Sequence, residues 1–357
     1  MRVRCEKGAL EKVSLRVFAL AALCAACISP GARLHAAETR EGGGAFTLER
    51  FVEAVSAPLE LLFRPTGPAA RNVRKGPVPG RILFASNKDA TQAVYLCEGG
   101  RVTMICTNGA DPSWSPDGTF FVCRPTASSV SWDLALVDTS GRLIRLLKPF
   151  GNGSATQARF AGRDPSAIYF RARRDLYTPG ALYRLDLATE KVTAVSFMAM
   201  SSFDVSPDGS SIVCAAPMDE AAPTSKDCLW IMDASGAHAR PLGNTSGASC
   251  PAFSPDGARV AYACPDKASL VTQIHILDLE GLRQQRVTSS PYPKNRPSWS
   301  PDGKILCCEA QVDTDGPAAT VIFAVNADGT DEGMLGCSSA PSTGGPARAS
   351  CPSFSPR

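Results

Sequence analysis

Histidine is scarce in this sequence: there are three in 357 residues, His35, His238 and His275, and no two are close in the chain. A site built on clustered imidazoles, whether for metal binding or for general acid–base work, is therefore not encoded. The Gly-x-Ser-x-Gly nucleophile elbow is missing too, which removes an α/β-hydrolase reading. Beyond residue 37 there is no Cys-x-x-Cys pair and no Cys/His set with metal-ligand spacing. Long apolar runs are lacking, the longest candidate being the twelve residues from Val17 to Ile28, too few to span a bilayer as a helix. Excess charge of one sign is lacking as well: 37 basic against 34 acidic residues leave +3, too weak a bias for nucleic acid or an anionic membrane surface as main partner. The reading expects no catalytic, cofactor-binding or metal-ligating set, hence no enzyme.

What is present starts with a leader. Arg2, Arg4, Lys7 and Lys12 precede the Val17–Ile28 run, the layout of a secretory signal peptide over residues 1–37, cut near Ala36 or Ala37. Lipidation at Cys27, within Leu23-Cys24-Ala25-Ala26-Cys27, is the alternative, and would anchor the chain to a membrane. Fourteen cysteines would suggest a disulfide framework in an oxidising compartment. However, Cys123, Cys214 and Cys308 each fall five residues after the glycine of a repeated turn, so they read as one strand position filled by a small apolar side chain.

That turn is the dominant feature of the sequence. Asp111-Pro-Ser-Trp114-Ser-Pro-Asp-Gly118, Ser202-Phe-Asp-Val205-Ser-Pro-Asp-Gly209, Cys250-Pro-Ala-Phe253-Ser-Pro-Asp-Gly257 and Arg296-Pro-Ser-Trp299-Ser-Pro-Asp-Gly303 are copies of one unit. Their central serines are 91, 48 and 46 residues apart, so a degenerate copy belongs in the first gap, at Gln157-Ala-Arg-Phe160. Proline fixes φ at the second turn position, aspartate accepts local hydrogen bonds, and glycine closes the turn. Apolar strands such as Thr119-Phe-Phe-Val-Cys123 follow. A later strand ending in Asp138, Asp186, Asp233, Asp278 or Asn326 marks the same period independently. Four strands per unit of about 45 residues are the blades of a β-propeller.

The expected fold class is all-β: a six-bladed β-propeller with four-stranded blades, closed by pairing of the C-terminal strand with the N-terminal blade, plus a short helical N-terminal segment. Cys351-Pro-Ser-Phe354 is a first strand with nothing after it, and residues 81–110 supply three strands without a first. The domains are then a signal peptide at 1–37, a helical segment and Pro/Gly-rich linker at 38–80, and the propeller at 81–357. The blades would be 81–110 with 350–357, 111–153, 154–200, 201–248, 249–295 and 296–349. Leu48, Phe51, Val52, Val55, Leu59, Leu62 and Phe63 carry the helical spacing in 38–80.

The Ser-Pro-Asp-Gly turn, preceded by an aromatic residue and followed by an apolar strand, resembles the WD40-like repeat of the TolB-like propeller family across residues 81–357. The resemblance implies a periplasmic protein that works by binding, its propeller engaging a peptidoglycan-associated lipoprotein. The family's N-terminal α/β domain does not fit in the roughly forty residues between leader and propeller.

Two groups of residues are candidates for binding. Asp111, Gln157, Ser202, Cys250, Arg296 and Cys351 lie three positions before each aromatic position and should form a polar ring at one end of the central channel. Arg171, Arg173, Arg174 and Tyr177 of the third blade make a basic and aromatic cluster placed between its second and third strands, suited to a protein or an anionic glycan. Asp117, Asp208, Asp256 and Asp302 are read as turn formers. The function this supports is a non-catalytic, monomeric envelope scaffold that holds another envelope protein. Recognition of a carbohydrate or peptidoglycan fragment is the alternative, and a propeller-type lyase or hydrolase a remoter one.

Overall fold

The computed structural model describes residues 73–87, 92–126, 133–150, 154–173, 180–219, 225–312, 319–335 and 349–356. The leader, the expected helical segment at 38–64 and the residues Arg174 and Tyr177 lie outside them. Six four-stranded antiparallel sheets account for every strand of these residues. From the innermost strand outward, blade 1 is Ala349–Phe354, Arg81–Ser86, Ala93–Glu98 and Arg101–Thr107, and blade 2 is Gly109–Trp114, Phe120–Pro125, Leu134–Asp138 and Leu143–Leu147. Blade 3 is Ser154–Ala161, Asp164–Arg173, Ala181–Asp186 and Val192–Ser196; blade 4 is Ser202–Val205, Ser211–Pro217, Asp227–Asp233 and Arg240–Pro241. Blade 5 is Ser249–Phe253, Arg259–Pro265, Thr272–Asp278 and Gln284–Arg286, and blade 6 is Lys294–Trp299, Ile305–Val312, Ala319–Asn326 and Gly333–Met334.

Closure takes the expected form. The C-terminal strand enters blade 1 with Phe354 opposite Ile82 and Ser353 opposite Leu83. The edges that an open array would expose are paired within the ring.

Each second strand is flanked by its own sheet and covered on both faces by neighbouring blades, which is why it reads as a continuous apolar run and not as an alternation. In Ser211–Pro217 the five central residues are buried, whereas the outermost strand Arg101–Thr107 has none buried. Among the described residues the core is correspondingly divided into six clusters, each shared by two adjacent blades. One joins Val122, Leu134 and Leu136 of blade 2 to Ile168, Phe170 and Tyr183 of blade 3, and another joins Ile82, Phe84 and Tyr95 of blade 1 to Cys307 and Ile322 of blade 6. Cys123, Cys214 and Cys308 are buried free thiols inside such clusters, as their strand position predicts.

The repeated turn does two jobs. Within a blade, the glycine N–H donates to the serine carbonyl (Gly118 to Ser115 at 2.9 Å, Gly209 to Ser206 at 2.8 Å), and each glycine has positive φ, 66° and 74° respectively. The serine hydroxyl donates to the aspartate, as in Ser206 Oγ to Asp208 Oδ1 at 2.5 Å, and accepts the N–H of the returning strand, Ser211 N at 2.9 Å. Between blades, the aromatic position clamps the preceding sheet: Trp114 Nε1 donates to Ser353 O at 3.0 Å and Trp299 Nε1 to Ala252 O at 3.1 Å. Arg81 and Arg259 stack on these two indoles at 4.8 and 4.7 Å, a cation–π contact repeated at two seams.

The turn aspartates therefore act as the sequence indicates. Asp117, Asp208, Asp256 and Asp302 all titrate below the ordinary carboxylate value, first because the serine hydroxyl of the same turn donates to them; Asp208 falls to about 2. A carboxyl depressed in the folded state contributes stability that is complete above its unfolded pKa, 3.8, and lost as pH falls through the folded value. The protein should lose stability progressively between about pH 4 and about pH 2. Denaturant melts across this range should show a shallower decline in the Asp208→Asn variant; an unchanged decline would remove the turns from the acid response.

Candidate channel-mouth site

The ring begins as a backbone irregularity. In blades 2, 3, 5 and 6 the register between first and second strands slips at the ring position, for instance between Ala110 and Ser113 and between Asn295 and Ser298. The ring residues there take left-handed conformations: Asp111 at φ 51°, Gln157 at 40°, Cys250 at 49° and Arg296 at 50°. Four non-glycine residues in that region hold a cost of order 1–3 kcal/mol each, which the surrounding blades must over-determine. Such bulges re-aim side chains. Blade 4 has no slip, and Ser202 pairs regularly with Ala215.

As a result Asp111, Gln157, Ser202, Cys250 and Arg296 all line one cavity of about 280 Å³ at the end of the channel, with Pro352 contributed by the closing strand. The backbone of Cys351 continues that strand. Arg171 lines the same cavity. Its placement differs from the sequence reading, which set Arg171 and Arg173 in a connecting segment: both belong to the ten-residue second strand of blade 3, where Thr156 pairs with Arg171. Strand pairing directs Arg171 into the channel mouth and leaves Arg173 exposed at the strand's end.

Sequence reasoning missed Arg124, Arg159, Thr156 and Ser201, which also line this mouth. Arg124, Arg171 and Glu309 occupy equivalent second-strand positions, opposite Ala110, Thr156 and Asn295. The signal was available: each is a charge interrupting an otherwise apolar run.

The charged groups form a network across blades. Asp111 accepts from Arg124 Nε at 3.2 Å and from Arg296 Nη1 at 3.3 Å, and Arg296 Nη1 lies 3.6 Å from Glu309 Oε1. Arg296 of blade 6 thus reaches past blade 1 to blade 2. Arg171 donates to Ser201 O, and burial, followed by the neighbouring Arg173 charge, lowers its pKa from the usual guanidinium value. Burial pushes the Cys250 thiol up, so it stays protonated, and its N–H donates to Ser202 Oγ at 2.9 Å. Deeper in the channel Arg159 and Asp204 pair at 3.5 Å. Burial raises the Asp204 pKa although Arg159 and the Phe253 N–H oppose it. The Asp204 side chain keeps 19% exposure, so the channel is lined and not sealed at this point. Beyond this pair a second cavity of about 640 Å³ opens among the Ser-Pro-Asp-Gly turns, sharing Arg159, Pro251, Pro297 and Pro352 with the first.

Among the described residues four guanidinium groups and one carboxylate line the smaller mouth, and Glu309 and Asp204 pair with Arg296 and Arg159 beside it, which leaves a small positive excess. No aromatic side chain occurs among the described residues lining it, and no three His, Cys, Asp or Glu side chains among the described residues are grouped to hold a metal. Among the described residues no helix is long and apolar enough to cross a membrane.

Fold and site together define a closed six-bladed propeller with Ser-Pro-Asp-Gly turns and a basic channel mouth, and this fold is TolB-like. The chain is similar in structure to TolB from Acinetobacter baumannii, with a TM-score of 0.60 at 18% identity over 87% of this chain and 73% of that one. A putative TolB from Agrobacterium tumefaciens aligns at 0.56 with 16% identity, covering 78% of this chain and 99% of that chain. Hydrazine synthase from Kuenenia stuttgartiensis shares the architecture at 0.54 with 13% identity, over 78% and 47%. No family model matches the sequence, and no curated protein does either.

Proposed function

We propose that this protein is a non-catalytic, monomeric scaffold of the cell envelope that docks an acidic segment of another envelope protein at the basic mouth of its channel. The observation that carries the reading is the convergence of Arg124, Arg159, Arg171 and Arg296 on a cavity of about 280 Å³ where, among the described residues, Asp111 is the one lining carboxylate and Asp204 and Glu309 pair with Arg159 and Arg296 from beside it. A space of that size admits a few side chains or a chain end, while the surrounding face supplies the rest of an interface. The TolB-like fold supports a binding role, the leader read in the sequence supports export, and a peptidoglycan-associated lipoprotein is the first partner to test. A glycan would call for stacked aromatic rings beside its polar contacts, and the described lining of this mouth has none.

The test is crosslinking and pull-down from intact envelopes with residues 38–357 as bait. Arg124→Glu combined with Arg171→Glu should weaken capture of a reproducible envelope protein at least tenfold, about 1.4 kcal/mol, and wild-type capture should weaken with salt. Arg173→Glu, altering an exposed strand end, serves as control. Capture unaffected by the double reversal would defeat the reading.

A further inference from the structure

The seam between blades 1 and 2 brings two thiols together. Cys106 lies on the outermost strand of blade 1, and Cys123 on the second strand of blade 2. Both pack in the cluster formed by Leu83, Val94, Trp114 and Phe121. Between them is Gly109: a Cβ there would stand 3.2 Å from Cys106 Sγ and 3.5 Å from Cys123 Sγ, and 2.8 Å from Val94. With no side chain at Gly109 to stand between them, both sulfurs pack against the same side of its backbone. They differ in access, Cys123 being buried and Cys106 half-buried. A groove of about 470 Å³ bordered by Met104, Leu143 and Leu146 leads to them.

We propose that Cys106 and Cys123 are a redox-active pair that closes to a disulfide by exchange with an external disulfide, stapling the closing blade to blade 2. Cys106, reached through the groove, loses its proton and attacks one sulfur of the external disulfide. Its S–S bond breaks, a mixed disulfide forms on Cys106, and the first small thiol leaves with the Cys106 proton. Cys123 then loses its proton and attacks Cys106 Sγ, expelling the second small thiol, which takes that proton. The protein dithiol is oxidised by two electrons and the external disulfide is reduced by two. The order follows the environment of the two groups: the neighbouring Cys123 thiol lowers the Cys106 pKa, whereas the Cys106 thiol and burial raise Cys123 well above the usual thiol range. This exchange depends on neither the envelope location nor the channel mouth.

The probe is oxidised glutathione added to the folded full chain, followed by N-ethylmaleimide in denaturant and tryptic mapping. Residues 102–142, bounded by Arg101 and Arg142, contain Cys106 and Cys123 and no other cysteine. Wild type should yield this peptide unalkylated and lighter by two hydrogens, and the oxidised protein should need more denaturant to unfold than the reduced one. Cys123→Ser should stop at glutathione on Cys106; Cys106→Ser should leave Cys123 unmodified in the fold. Alkylation of both cysteines in oxidised wild type overturns the proposal without recourse to either variant. So does glutathione on Cys123 in the Cys106→Ser protein at the rate seen on Cys106.

Discussion

Deleting residues 349–357 is expected to abolish the single cooperative unfolding transition of the propeller. The closing strand is the innermost of blade 1, and without it Ile82 and Leu83 lose their partners Phe354 and Ser353. The Trp114 indole loses its acceptor at Ser353 O, and Arg81 loses Ser355 Oγ, which it contacts at 3.1 Å. Buried Phe354 also leaves the cluster it shares with Ile305 and Ile322 of blade 6. A propeller depends on every seam, so this change exposes an edge strand and opens two interfaces at once. The loss should match the whole stability of an ordinary domain, about 5–15 kcal/mol. Thermal melts followed by near-ultraviolet circular dichroism would check it, and a truncated chain that still melts in one sharp transition near the wild-type midpoint would show that closure is dispensable.

Lys294→Ala should produce the largest effect of any single substitution. The Lys294 side chain has no exposed surface, yet it carries an ammonium that lies 3.0 Å from Glu332 Oε1. It also donates to Tyr292 O at 2.7 Å, Ser290 O at 3.2 Å and Gln273 Oε1 at 3.3 Å. Burial lowers its pKa, and the Glu332 charge opposes that shift. At Glu332 burial favours the neutral acid, but Ser290, Lys294 and the Ser289 N–H together outweigh it and hold the carboxyl below its ordinary value. Removing the ammonium leaves a largely buried carboxylate without its counter-charge, a loss of about 3–5 kcal/mol. Lys294→Met combined with Glu332→Gln should recover much of it, because the cost lies in the uncompensated charge and not in the absence of the pair. Equilibrium denaturation of the three proteins checks this; equal losses in the single and double variants would place the effect in packing instead.

How much of this was legible in the sequence depends on what each feature rests on. The blades were readable because turn chemistry is local: Ser206-Pro207-Asp208-Gly209 specifies its own geometry whatever surrounds it. Closure was readable because a lone first strand ending at Phe354 and a blade without one can satisfy each other only by pairing. The ring followed from the repeat register, and five of its six residues share one cavity. The left-handed backbone at Asp111, Gln157, Cys250 and Arg296 was not readable, since four different side chains adopt it and none favours it as glycine does; the slip is imposed by sheet pairing. Arg171 was misplaced because the length of the second strand of blade 3 is set by its partners in the sheet. The Arg159–Asp204 pair was missed because one member lies in the degenerate repeat and the other in a regular one, and only the packing of blades 3 and 4 joins them.

The account centres on the basic channel mouth as the docking surface, and photocrosslinking from its two ends tests that most directly. A photoreactive residue at Gln157, in the arginine-lined mouth, is compared in cells with one at Asp208, in the turn at the opposite end of the channel. Crosslinking to one envelope protein from position 157 and not from 208, lost on adding Arg124→Glu with Arg171→Glu, is the predicted result. Crosslinking to that protein from 208 alone, or from neither position while pull-down persists, would contradict it.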